Sequence, residues 1–284
     1  MTTILSIQSS VAYGHVGNSA ATFPLMRLGV EVYPVLTVHF SNTTAYGTWR
    51  GPVLSADDVR AVVQGIDERE ALTAVDAVLT GYQGSAAIGE AVLETVALVR
   101  ERNPKAIYCC DPVMGDVGRG FFVTTGIPEM FRDRIVPQAD IVTPNQFELE
   151  FLTGRSATTL DELLSAAAAL RATGPGIVLV TSAITDDLGS DSVSMLGVSA
   201  DGAWLVSTPR LAPTFTGSGD ITAAVFLASF LKSGSLPEAL ASTAAIVYAV
   251  LEITAASGHR ELRLVEAQDA IVNPPREFSV RKVR

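Results

Sequence analysis

Residues 215–220 read FTGSGD, and the apolar run ITAAVFLASFL follows at once. The run has the spacing of a buried helix, so Gly217, Ser218, Gly219 and Asp220 stand at a helix N-terminus. The first amide N–H groups of a helix have no partner inside it, and the macrodipole gathers about half a positive charge there. Glycines let a ligand approach such donors closely. Gly217, Ser218 and Gly219 are therefore suited to grip an anion, a phosphate for instance, with backbone N–H groups alone. Asp220 follows directly and is placed to aim at an alcohol. The dipole favours its charged form, which makes a weak base. Phosphoryl transfer tolerates that weakness, because its transition state is loose and the hydroxyl loses its proton late. The carboxylate then orients the nucleophile while the amides stabilise the transferring group. The same residues also describe a plain helix cap, and the stretch alone leaves both readings open. No G-K-[ST] follows, as a P-loop requires, and no strand leads directly in, as a dinucleotide fingerprint requires.

A site of this kind needs a scaffold, and the rest of the chain reads as one. Strand patterns fall at 3–8, 30–40, 76–82, 105–111, 139–145 and 176–182. Helical patterns fall between them: one capped by Asn18 and stopped at Gly29, one at 55–70 capped by Ser55, and others at 87–103, after Asn145, and at 159–174. Residues 191–209 read as a hairpin with Asp201-Gly202 at its turn, and apolar helices follow at 219–233 and 236–257. Short apolar strands alternating with helices predict an α/β fold of three layers, a mostly parallel sheet with helices on both faces. No linker or repeat interrupts the pattern, so a single domain over 1–284 is expected. The Gly-rich stretch 114–129 is long for a plain connection and reads as a lid. Gln8-Ser9-Ser10, Thr80-Gly81-Tyr82, Asp111, Thr143-Pro144-Asn145 and Thr181-Ser182 all fall at strand carboxyl ends, where ligands of such sheets sit.

The bulk numbers exclude several classes. Of 284 residues, 48% are hydrophobic and 18% charged, which rules out a disordered chain. A net charge of −10 argues against a nucleic-acid or anionic-membrane surface, and it obliges any anionic ligand to find a local positive field. Cys109 and Cys110 are adjacent and cannot staple distant segments. MTTILSIQSS lacks the basic and long apolar regions of a signal peptide, and the apolar runs are broken by Gly, Ser or Thr. A cytoplasmic protein without a membrane span is expected. His15, His39 and His259 show no metal spacing, and no Ser lies in G-x-S-x-G. Arg119 in the lid has the reach for phosphates, though an exposed loop arginine also reads as a solvated cation, and VRKVR at the end reads as a short basic tail.

FTGSGD-ITAAVFLA resembles the G-[TAS]-G-D signature of ribokinase-like kinases. LSIQSSVAYGHVGNSAATFPLMRLGVEV, TVHFSNTTAYGTWRG, LTGYQG, CDPVMGD, DIVTPNQFELEFLTG and ELRLVEAQDAIVNP, in that order, resemble the pyridoxal kinase family, especially its bacterial pyridoxamine-kinase type. The resemblance spans residues 4–275. It implies a ribokinase-like fold, ATP as phosphoryl donor, phosphorylation of the 5′-hydroxymethyl group of a B6 vitamer, Mg²⁺ and a monovalent cation such as K⁺, and a homodimer. By the same resemblance Asp220 is the catalytic carboxylate and Gly217, Ser218 and Gly219 the anion hole. Ser9 and Thr44 contact the pyridine ring, and Val16, Val38, Phe40 and Tyr82 wall its pocket. Asp111 and Glu148 lie near the cations, partly through water. Asp116, Thr143, Asn145, Thr181 and Ser182 contact the nucleotide phosphates or cations. Residues 115–126 correspond to the flap.

Four of these residues, Val38, Phe40, Asn145 and Glu148, also have a plainer reading. Val38 and Phe40 alternate onto one strand face, as core residues would. Asn145 is a natural helix cap and Glu148 its capping-box partner. Two departures from the resemblance matter. GRGFFV in the flap lacks the reactive cysteine of some relatives, so covalent trapping of an aldehyde there is not expected. Thr43 and Thr48 stand where relatives often carry histidines, which bears on the choice among pyridoxal, pyridoxine and pyridoxamine. The rival expectations are a hydroxymethylpyrimidine kinase of the same fold and a B6-binding protein without activity.

Overall fold

The computed structural model describes residues 1–212 and 214–284. Among these residues nine strands form one sheet in the order β11-β10-β9-β8-β7-β4-β3-β1-β2. They are β1 (Thr3–Val11), β2 (Glu31–Phe40), β3 (Ala77–Thr80), β4 (Ile107–Cys110), β7 (Ile141–Val142), β8 (Ile177–Ala183), β9 (Ser192–Ser199), β10 (Gly202–Pro209) and β11 (Val280–Lys282). Two short strands, β5 (Gly115–Asp116) and β6 (Gly120–Phe121), pair only with each other. Pairing is parallel from β2 across to β8 and antiparallel from β8 to β11.

Helices α2 (Ala56–Asp67), α3 (Ala86–Arg102), α4 (Ile127–Met130), α5 (Gln146–Thr153) and α6 (Leu160–Arg171) supply the apolar layer on one face. On the other lie α1 (Asn18–Arg27), α7 (Ser218–Ser233) and α8 (Leu236–Ala256), with α9 (Gln268–Val272) packed against α1 and α8. The parallel strands are apolar on both sides for this reason. Cys110 points into the first layer and Cys109 into the second, and both are buried. This is the three-layer α/β architecture expected from the alternation of patterns.

Four local expectations need correction. Asn18 does not cap α1. Gly17 stands at the N-cap, and the buried Asn18 amide instead donates to the carbonyls of Ser6, Gln8 and Val35 at 3.3, 3.3 and 3.0 Å. The α2 helix ends at Asp67 rather than 70, while its Ser55 cap and the reciprocal Asp58 bond are present. The basic tail contributes β11, which pairs with β10 and closes the antiparallel edge. Contrary to the expectation from its broken apolar runs, α8 is long and apolar enough to cross a membrane by length and composition. Most of its surface is instead occupied by α7, β10 and β9, which explains an apolar character on nearly all sides.

The Asn18 bonds carry a stability prediction. Asn18→Leu would leave three buried carbonyls to find other donors. It is expected to lower the unfolding free energy by about 1–3 kcal/mol, read as a fall in urea midpoint at unchanged slope.

Candidate active site

The carboxyl ends of β1, β3, β4, β7 and β8 open into a cavity of about 910 Å³ that runs along the sheet edge to β10. Gly217, Ser218, Gly219, Asp220, Ser9, Val16, Val38, Phe40, Thr44, Tyr82, Asp111, Asp116, Thr143, Asn145, Glu148, Thr181 and Ser182 all line it. The sequence singled these residues out from separate segments, and the fold brings them to one space.

Two irregularities aim the polar residues at the β1 and β8 rims. The β1–β2 ladder runs regularly to Gln8–Leu36 and resumes at Ser10–His39, so Ser9 lies inside a register break. The β8–β9 ladder breaks between Val180 and Ala183, which frees Thr181 and Ser182 from pairing with β9. Bulges of this kind turn side chains out of the ladder at sites. Nothing in the sequence marked either break.

The cavity has an apolar end at the β1–β2 side. Val11, Val38 and Phe40 are buried and pack with Val16 and Tyr82 as a cluster separate from the main core. The Thr37 hydroxyl donates to the Tyr82 carbonyl at 2.6 Å and fixes that residue's place. The core and pocket readings of Val38 and Phe40 thus coincide. Thr43 is buried and accepts from Ala45 N–H at 3.3 Å, so it shapes the Thr44 turn. Thr48 is exposed and does not line the cavity.

Sequence reasoning missed the other end. Val193 and Met195 of β9, Pro209 of β10, and Tyr248 and Leu251 of α8 form a second apolar wall. Each looks like ordinary hairpin or helix core, and only the antiparallel extension of the sheet puts them beside Thr181 and Ser182.

Between the two walls lies the junction at the start of α7. Gly217 takes φ 83° and has no side-chain cap. A Cβ on it would overlap the His15 carbonyl oxygen, whereas a Cβ on Gly219 would meet open space. Gly217 is thus demanded by the fold, and Gly219 leaves room on the cavity side. The Ser218 hydroxyl donates to the Phe215 carbonyl at 3.1 Å, so its side chain braces the turn and its backbone faces the cavity. Asp220 is partly exposed, toward the cavity.

The Asp220 carboxyl corrects the expectation of a depressed acid. Burial pushes it above the ordinary aspartate value, against the opposing pull of the Gly17 N–H and its own N–H. Desolvation outweighs the helix dipole, and the residue is a better base than the sequence suggested.

Two further buried carboxylates, Asp111 and Glu148, share the cavity. Asp111 is 5% exposed, and burial first, then the charges of Glu148 and Asp220, raise it well above the ordinary range. Glu148 accepts from Met114 N–H at 2.9 Å, Gly115 N–H at 3.5 Å and Asn145 N–H at 2.9 Å. Asn145 returns the capping bond to Glu148 N–H and donates its side-chain amide to the Gly115 carbonyl at 2.8 Å. The pair therefore caps α5 and hinges the flap together. Burial still lifts Glu148 to about 8. The flap's Phe121 ring sits 5.1 Å, edge-on, from both Phe147 and Phe151. Asp116 is exposed and holds the Val117 N–H at 2.7 Å. Arg119 stacks 4.8 Å over Phe122 and borders the cavity, closer to the site than a solvated loop cation.

Raised carboxyls imply a stability trend. Glu148 gains protons on folding, so its contribution is full below its ordinary 4.5 and fades as pH rises through about 8. The urea midpoint of the ligand-free protein is expected to fall between pH 5.5 and pH 8.5, roughly in that window. Glu148→Gln should flatten the fall.

The parallel sheet, the glycine turn aimed into its rim and the carboxylate beside it define a small-molecule kinase of the ribokinase-like fold. Comparisons with known proteins agree. The profile of the phosphomethylpyrimidine kinase family matches residues 51–264. The chain is 54% identical over 280 residues to pyridoxal kinase PdxY of Leifsonia xyli, covering 99% of each chain. It is 57% identical to pyridoxal kinase PdxY of Rubrobacter xylanophilus, covering 99% of this chain and 97% of the relative. Pyridoxal kinase from Leishmania donovani in complex with ADP and pyridoxine superposes with a TM-score of 0.93 at 30% identity, over 99% of both chains. The chain belongs to the pyridoxal kinase family.

Proposed function

We propose that this chain transfers the γ-phosphoryl group of ATP to the 5′-hydroxymethyl group of pyridoxal or a related B6 vitamer, with Asp220 and the Gly217–Gly219 turn as the catalytic centre. The observation that carries the reading is the layout of the cavity: an apolar pocket at each end and the anion-binding turn between them. The pyridine ring lies between Val16, Val38, Phe40 and Tyr82, with Ser9 and Thr44 supplying directional hydrogen bonds. The adenine base lies against Val193, Met195, Tyr248 and Leu251. The phosphates then pass Thr143, Thr181 and Ser182 toward the N–H groups of residues 217–219. The Thr143 hydroxyl is buried beside the Asp111 carboxyl, whose charged form it favours, and both line the cavity.

Asp220 receives the proton of the acceptor hydroxyl as the phosphoryl group moves, and the amides hold the charge on that group. The flap closes on its Glu148–Asn145 hinge and excludes water, which protects ATP from hydrolysis.

Hard oxygen donors suit Mg²⁺. Among the described residues no cluster of three or more His, Cys, Asp or Glu side chains is arranged to ligate a metal directly, and Mg²⁺ characteristically takes few protein carboxylates. Asp111, with Glu148 behind it, would hold the ion together with water and the nucleotide, where it neutralises phosphate charge. Burial first, and then the neighbouring charges of Glu148 and Asp220, raise Asp111, and a cation there would offset both. A monovalent cation such as K⁺ and a homodimeric state belong to the same reading.

The test is ATP consumption with pyridoxal, pyridoxine, pyridoxamine and hydroxymethylpyrimidine under one Mg-ATP condition. Turnover with at least one B6 vitamer, well above that with the pyrimidine, is expected. Turnover with the pyrimidine alone, or vitamer binding with no phosphorylation, would overturn the proposal.

A further inference from the structure

Glu261 lies outside every role described so far, yet it is an acidic side chain only 9% exposed. Its Oε2 accepts the His15 N–H at 3.0 Å, and its Oε1 is buried with no hydrogen-bond partner. The Tyr46 hydroxyl also lies toward it, and burying a carboxylate with so few donors is costly. It caps no helix, whereas Leu262 and Leu264 just after it belong to an apolar cluster. Its position is informative. The Glu261 backbone forms an isolated parallel bridge with Thr216, the residue before the anion-binding turn. A Cβ on Gly14 would overlap its carboxylate, so the Gly14–Gly17 turn is wrapped directly on this side chain. That turn touches the catalytic centre twice. The His15 carbonyl closes on Gly217, and the Gly17 N–H faces the Asp220 carboxylate and favours its charged form.

We propose that Glu261 is a positioning residue for phosphoryl transfer: by holding the His15 amide, it sets the Gly14–Gly17 turn that presents the Gly17 N–H to Asp220 and fixes the back of Gly217. The carboxylate oxygen is the hydrogen-bond acceptor with the reach to do so, and the Thr216 bridge registers it against the start of α7. The inference rests on Asp220 being the catalytic carboxylate.

The experiment compares Glu261→Ala, Glu261→Gln and Asp220→Asn with the wild type in kcat and KM for ATP. Glu261→Gln keeps an oxygen that can accept the His15 N–H, and its kcat is expected within about threefold of wild type. Glu261→Ala is expected to lose about 10–100-fold in kcat at a KM for ATP changed less than about threefold, as a misplacement of the catalytic group would produce. A loss that falls on KM rather than kcat, an alanine variant with normal kcat, or a glutamine variant as impaired as alanine would each overturn the proposal. Should Glu261→Ala not accumulate as folded protein, Glu261→Ser, too short to reach the amide, is read by the same two constants. Full turnover in Asp220→Asn would instead reject the catalytic assignment beneath it.

Discussion

Asp220→Asn is expected to lower kcat by about 10²–10⁴-fold, the range over which a positioned acid–base group contributes. Vitamer affinity should change by less than about threefold, because the contacts of Ser9, Thr44 and the apolar pocket are made equally in ground and transition states. Asparagine preserves the shape and one acceptor oxygen but cannot take the proton of the acceptor hydroxyl. Steady-state ATP consumption beside a direct vitamer titration separates the two effects. Turnover within a few-fold of wild type would remove Asp220 from the mechanism. The elevated carboxyl has a second consequence. Asp220 must be ionised to receive the proton, and burial raises its affinity for one. The acidic limb of kcat should therefore lie above the ordinary aspartate range, with activity lost as pH falls through it.

Gly217→Ala should be nearly as damaging, for a different reason. At φ 83° an L-residue is strained by roughly 1–2 kcal/mol, and the new methyl would overlap the His15 carbonyl, a backbone atom that cannot rotate away. Either the 217–219 turn or the Gly14–Gly17 turn must shift. A displacement of even about 1 Å at this point should cost on the order of 10²-fold in kcat. Chemical denaturation should show a loss of about 2–4 kcal/mol in the same variant, from strain and repacking combined. Gly219→Ala is the internal contrast. Its Cβ meets nothing in the ligand-free protein, so stability should hardly change while ATP binding weakens. If Gly217→Ala and Gly219→Ala lose stability equally, the different roles assigned to the two glycines fail.

The contrast between these glycines also marks how far the sequence could be read. GSGD before an apolar helix was legible as a helix N-terminus suited either to cap itself or to grip an anion, with a carboxylate beside it, because helix termini and glycine have the same physics wherever they occur. It could not say that Gly217 answers to the His15 carbonyl and Gly219 to open space. Asp220 was expected to be depressed by the helix dipole, which is a local effect and therefore legible. Its desolvation comes from the cavity that separate segments build around it, and it reverses the sign. Asn18 looked like a cap because Asn before a helical run is locally favourable. Three carbonyls of neighbouring strands claimed it instead.

What the sequence determined by itself was the alternation of strands and helices, the layering that follows from it, and the residues collected at strand carboxyl ends. Periodicity, turn residues and caps act within a few positions of one another, so a linear chain displays them. The tertiary structure alone decided the register breaks that turn Ser9, Thr181 and Ser182 into the cavity, the apolar wall that β9, β10 and α8 build opposite the first, and the proton affinities of the buried carboxyls. Each of these depends on distances across the sheet and on the water excluded from between distant segments, quantities that come into existence only when the chain has packed.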